Sequence, residues 1–286
     1  MNADGVFDFL DKHWKPLTFI TIVALILAAG VLVYNQYTKG SVMPRDVELT
    51  GGKEIIVEGF SYSGDARNIE EQIKGTDIRV LGNSLVVNID NELDENDVEQ
   101  QLKDIGVEGE YSKKFIGPSF SETQWKLAQI AIIIAFILMS IVVFILFRTF
   151  VPSVGVIFAA ITDIVVAMAI LSLMDVRLSL PTLAALLMLI GYSVDTDIVL
   201  TTEMLKTRGK DVKMRIRTAM KTGLTMTLCA LAALFAMYFV SQDPVLQQMA
   251  TVLIIGLIVD IPATWLTNAG ILRWYVNRKE RKMVGG

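Results

Sequence analysis

The feature that most constrains this chain is the recurrence of long apolar runs, at 17–37, 125–147, 152–174, 178–201, 222–241 and 247–272. Each is about 20 residues or longer, and a helix rising about 1.5 Å per residue then crosses a hydrocarbon core about 30 Å thick. Six runs predict six transmembrane helices. The first exceeds the 7–15-residue apolar core usual for a cleavable signal, and no A-x-A-like site follows it, so it reads as a retained anchor. Averaged over the chain, 53% apolar and 20% charged residues depart only modestly from a soluble domain's roughly 45–50% and 25%; the segregation is local.

Charge and composition remove several function classes. A net charge of −4 has the wrong sign for a nucleic-acid footprint. The lone Cys229 and lone His13 leave no disulfide within the chain, no Cys-based zinc site, and little for Ser-His-Asp or Cys-His catalysis. No enzyme activity, cofactor or metal is expected.

Lys and Arg in the short connections set orientation. They gather in 1–16 (Lys12, Lys15), at Arg148, in the stretch 202–221 (Lys206, Arg208, Lys210, Lys213, Arg215, Arg217, Lys221) and in 273–286, whereas the short connections on the other side hold only Arg177. Both termini are therefore expected on the cytoplasmic side of a multi-pass cell-membrane protein. The organisation reads as a cytoplasmic segment 1–16, a span 17–37, an outer domain 38–124, a five-span bundle 125–272 with a basic cytoplasmic loop 202–221, and a basic tail 273–286. Topology setting is the plain role of 202–221; attraction of anionic lipid or a ribosome, at about 1 kcal/mol per charge, is the alternative.

Segment 38–124 loses the membrane pattern, with 18 acidic against 9 basic side chains. Strands are expected at 53–59, 77–81, 84–89 and 110–116, and helices at 65–74 (Ile69 and Ile73 on one face) and 94–105 (Val98, Leu102 and Ile105 on one face, Gly106 as stop). The order βαββαβ is that of a ferredoxin-like α+β domain. Its acidic run 90–99 lacks the Gly of a calcium loop and reads as a solvated surface.

Four acids remain inside apolar runs: Asp163, Asp195, Asp197 and Asp260. Each costs about 2.5–3.5 kcal/mol at a span centre on insertion scales, and no Lys or Arg lies deep in a span to offset them. Small or hydroxyl residues flank three of them at helical spacing: Ala159 and Ala167 about Asp163, Ser193 and Thr201 about Asp197, Gly256 and Thr264 about Asp260. These acids are expected to point into the bundle, as a proton or ion relay or as interhelical hydrogen-bonding groups that fix packing. Asp195 and Asp197 lie about 200° apart around a helix, so they cannot face one pathway together.

The stretch 189–199, LIGYSVDTDIV, with Gly191, Tyr192, Ser193 and Thr196, resembles the fourth-span signature of the SecF family of protein-export membrane subunits. Leu49-Thr50-Gly51-Gly52 is similar to that family's F-T-G-G entry to the outer domain, and Ile116-Gly117-Pro118-Ser119 to its V-G-P exit. In an ungapped match the bacterial Asp column falls on Thr196, with acids at Asp195 and Asp197 instead, the archaeal pattern. The basic residue before the fifth span falls near Thr218, beside Arg217, and Ser121 stands where Gly is frequent. The resemblance implies relay roles for Asp195 or Asp197 and a helper role for Arg217. It also implies pairing with a SecD-like six-span subunit, association with a SecYEG-type translocon and a translocating polypeptide, and work drawn from proton-motive force. The family's swinging outer domain would hinge at 39–44 and 117–123. Half of a small-molecule or lipid exporter, or a passive translocon scaffold, are the alternatives. Membrane lipids are partners on any of these readings; nucleic acid is not.

Overall fold

A computed structural model describes residues 13–62, 69, 72–90, 93–207 and 211–284. Among these, six helices are long and apolar enough to cross a membrane. In chain order the elements are α1 (Trp14–Lys39), the short α2 (Val47–Thr50), β1 (Gly52–Ser61), β2 (Thr76–Leu81), β3 (Ser84–Ile89), α3 (Glu95–Asp104), β4 (Glu108–Ile116), α4 (Pro118–Phe147), α5 (Phe150–Leu173), α6 (Leu180–Lys206), α7 (Val212–Val240), α8 (Pro244–Pro262), a π-helical turn Ala263–Asn268, and α9 (Ala269–Val284).

The helices begin where local chemistry starts them. Pro118 and Pro244 occupy the first helical position of α4 and α8, where the missing N–H costs nothing. Ser179 caps α6 by accepting from the Thr182 N–H at 3.3 Å, and Asp243 caps α8 by accepting from Val245 at 2.7 Å. Two departures from the sequence reading follow. The basic stretch 202–221 is mostly helix, because α6 runs to Lys206 and α7 starts at Val212, although Arg208 and Lys210 lie outside the described residues. The expected hinge at 117–123 is the opening of α4, so Gly117 caps a helix rather than interrupting one.

Between α1 and α4 stands a four-stranded antiparallel sheet in the order β2-β3-β1-β4, with Val57 opposite Leu85 and Gly52 opposite Ile116. Its inner strand β3 is buried on both faces. One face carries Ile55, Val57, Leu85 and Val87 against Val98 and Leu102 of α3; the other turns Glu54 and Asn88 toward the helical bundle. The expected helix at 65–74 falls mostly outside the described residues, but Ile69 and Ile73 pack into this core, and the Ile73 N–H donates to the Ile69 carbonyl at 3.0 Å. The segment 90–99 holds an N-cap in which Asp94 accepts from Asn96 at 2.7 Å; that backbone hydrogen bond holds its carboxyl below the usual range, and Asn91 and Glu92 lie outside the described residues.

In the bundle α6 and α8 are the central spans, and α5 closes on both. Small residues set the spacing: a Cβ at Gly256 of α8 would sit 2.3 Å from Leu189 Cδ2 of α6, and one at Gly223 of α7 2.4 Å from the Trp265 ring. Even an alanine at either position would force the Leu189 or Trp265 side chain to move.

Candidate functional site: an intramembrane acid cluster and the outer junction

Asp163 of α5, Asp197 of α6 and Asp260 of α8 converge at the centre of the bundle, each with 0% exposure. Their helical neighbours Ala159, Ala167, Ser193, Thr201, Gly256 and Thr264 are buried with them, so all three acids face inward as their spacing in the sequence predicts. Ser193 Oγ donates to Asp163 Oδ2 at 2.5 Å, and Thr196 Oγ1 lies 3.0 Å from Asp260 Oδ2. Thr264 Oγ1 lies 3.1 Å from both Asp197 Oδ1 and Asp260 Oδ1, and Asn268 Nδ2 donates to Asp197 Oδ1 at 2.7 Å. Asp163 and Asp260 are neighbours in this cluster, their carboxyls close enough to interact.

The donors do not suffice for three carboxylates. The Thr264 hydroxyl has one proton and two carboxylate neighbours, so a hydrogen bond to both requires that one carboxyl supply a proton itself. Asp163 Oδ1 and Asp197 Oδ2 are buried and meet no donor group. No Lys or Arg occurs in 149–176, 178–205 or 222–272 to bring a positive charge from those helices. Among the described residues no group of three or more His, Cys, Asp or Glu is placed to hold a metal ion. Chemically, the arrangement is three buried carboxyl groups with hydroxyls between them, a set able to hold and share protons.

Asp195 and Arg217 stand apart from this cluster. Asp195 is exposed on the opposite side of α6, in a stripe with Met188, Gly191 and Tyr192, and Arg217 is exposed on α7. Sequence spacing missed Thr264 and Asn268 as a pair on Asp197. They lie four residues apart on one helical face, within the wide turn Ala263–Asn268 that directly follows Pro262, which has no N–H for the helical ladder.

A second polar cluster fastens the sheet to the bundle. The chain at 44–46 runs alongside Leu178, with Leu178 N donating to the Pro44 carbonyl at 2.7 Å and Asp46 N to the Leu178 carbonyl at 2.9 Å. Arg79 Nη2 of β2 pairs with Asp46 Oδ1 at 2.9 Å, both side chains 9% exposed, and Arg177 pairs with Asp77. Asn88, oriented to satisfy both ends of its amide, donates to Glu54 Oε1 at 3.2 Å and accepts from Arg79 and Arg177 at 2.9 Å. Glu48 bridges Lys114 Nζ at 2.5 Å and the Leu180 N–H at 2.8 Å, which is the first turn of α6. Burial, with the charge of Asp46, pushes the Glu54 carboxyl up to about 7.

The two glycine motifs also meet here. Gly51 adopts φ +79, and a Cβ on it would lie 3.2 Å from Pro118 Cα and 3.2 Å from Ser121 Oγ. The entry and exit strands, joined at Gly52 and Ile116, leave the sheet side by side, and only glycine fits where they part.

A family model described as protein export membrane protein SecD/SecF, C-terminal, matches residues 97–278. Protein-export membrane protein SecF of Pyrococcus furiosus is 37% identical over 276 residues, covering 94% of this chain and 93% of its own length. That of Methanothermobacter thermautotrophicus is 39% identical over 280 residues, covering 94% and 95%. Among solved structures, SecDF from Thermus thermophilus, a translocon-associated membrane protein, has the same fold with a TM-score of 0.78 at 20% identity; the match covers 93% of this chain and 38% of that longer one. The fold, the two glycine motifs and these relatives agree: the chain belongs to the SecF family of protein-export membrane proteins.

Proposed function

We propose that the protein is the SecF half of a two-subunit export accessory, pairing with a SecD-like six-span partner and acting beside a SecYEG-type translocon on an emerging polypeptide. In this reading the buried carboxylates Asp163, Asp197 and Asp260 relay protons or another cation, and the flow is coupled to the outer domain. The observation that carries it is the gathering of three acids from three helices with hydroxyl and amide donors between them. Intramembrane acids without a counter-charge are expensive, which favours a working role over a merely structural one.

Asp195 takes a different part. An acid exposed on a span, in a stripe with Met188 at 44% and Tyr192 at 40% exposure, suits a surface covered by the partner subunit, with Gly191 allowing close approach. The resemblance-derived helper role of Arg217 finds no support in its exposed position on α7. The outer domain is read as ferredoxin-like, supported by its antiparallel order, which reversed runs 4-1-3-2. Both termini are read as cytoplasmic, supported by the basic residues that flank the spans on that side.

The test is secretion of a reporter protein in cells carrying Asp197→Asn or Asp163→Asn, with membrane insertion and partner retention measured in parallel. The relay reading expects secretion to fall severalfold while insertion and pairing persist. Normal secretion in the double variant removes the relay and leaves a scaffold that locks helices. Asp195→Asn is expected to loosen the partner instead.

A further inference from the structure

A cleft of about 460 Å³ opens between α1 and α4 on the side of the membrane where the sheet stands, floored by α5 and α6. Its inner wall is apolar: Ile164 and Met168 of α5, and Leu183, Leu187 and Ile190 of α6, with Met43 closing the top. At its rim the character changes. The Arg45 guanidinium lies 4.9 Å from the centroid of the Trp125 ring, and the exposed amides of Gln36 and Gln129 border the same opening. The backbone bridge to Leu178 fixes Arg45 in place. Among the described residues no carboxylate pairs with it.

These features are mutually selective. A guanidinium with five donors, stacked on one ring face at the edge of hydrocarbon, lacks an anion, and its planar fork suits phosphate oxygens. Tryptophan at this depth marks the level of lipid headgroups, so the apolar wall below it runs at the level of acyl or alkyl chains. The volume falls within the range of small-molecule sites. A helix from another subunit laid here would cover Arg45 with hydrocarbon, whereas a phospholipid brings its own negative charge to the right depth. We infer that this cleft holds one anionic glycerophospholipid from the leaflet beneath the sheet domain, with its phosphate on Arg45 and a chain against α5 and α6.

The experiment uses the full chain with its co-purifying partner, in nanodiscs of equal phosphatidylglycerol and phosphatidylcholine. Lipid retained after detergent extraction is counted by native mass spectrometry. Retention of one phosphatidylglycerol in preference to phosphatidylcholine is expected, with the preference falling about fivefold in Arg45→Gln, as one interfacial charge provides, and recovering in Arg45→Lys. Ile132→Trp, which narrows the cleft from α4, is expected to reduce retention of both lipids. In the unsubstituted protein, brominated phosphatidylglycerol is expected to quench the fluorescence that Trp125→Phe removes. Equal headgroup retention with and without Arg45, or an unquenched Trp125, overturns the inference; the latter result means that another protein surface covers the cleft.

Discussion

The protein buries polar side chains in two places, and the two are built on opposite rules. At the outer junction three acids are paired with cations, Asp46 with Arg79, Asp77 with Arg177, and Glu48 with Lys114, while Glu54 among them has the Asn88 amide. In the bundle centre Asp163, Asp197 and Asp260 meet only hydroxyls, an amide and each other. Paired charges hold one arrangement, because removing either partner strands the other. Carboxylates held by neutral donors can exchange a proton without breaking an ion pair. One region is a fastening and the other is suited to change its charge; α6, whose Leu180 N–H donates to Glu48 and which carries Asp197, links the two.

The largest expected effect comes from stranding a charge at the fastening. Arg79→Met leaves Asp46 buried without its cation and should destabilise the outer domain by about 3–5 kcal/mol, read as lost hydrogen-exchange protection in β2 and β3. Next comes Glu54, whose carboxyl is raised to about 7 by burial and by Asp46. The folded domain then holds a proton that the unfolded chain releases from about pH 4.5 upward, so its stability falls as pH rises from there to about 7, by roughly 3 kcal/mol in all. Glu54→Gln should flatten that slope in chemical unfolding measured across the window; an unchanged slope places the titration elsewhere. Gly256→Ala tests the bundle's packing, since its Cβ would meet Leu189. A loss of about 1–3 kcal/mol is expected in thermal unfolding of the purified protein. The smallest effect sharpens the comparison most. Asp197→Asn keeps an oxygen for Asn268 and strands no cation, so stability should move by less than about 1 kcal/mol. The same substitution at Asp46 should cost several times more.

Much of this was legible in the chain. Apolar runs and strand alternation marked the spans and the four strands, because both follow directly from burial. Small residues four positions from Asp163, Asp197 and Asp260 marked the inward faces, and the two-residue separation of Asp195 and Asp197 required that one point away. The fastening was not legible. Arg79, Asn88 and Arg177 look like ordinary polar residues on a strand or turn, and only tertiary approach brings them to Asp46 and Glu54. Nor did periodicity reveal where α7 starts, since the basic residues at its beginning carry no apolar signal. Pro262 in the last apolar run is the one mark of the wide turn that follows it.

That wide turn, Ala263–Asn268, has a mechanical meaning. It holds extra backbone, and it persists where side chains secure it. Thr264 and Asn268 do so by gripping the same oxygen of Asp197. The extra backbone turns Ala269–Val284 by about 100° around the helix axis from where an unbroken α-helix would carry it. The carboxylate of Asp197 therefore clamps the last span to α6 at the widest point of its helix.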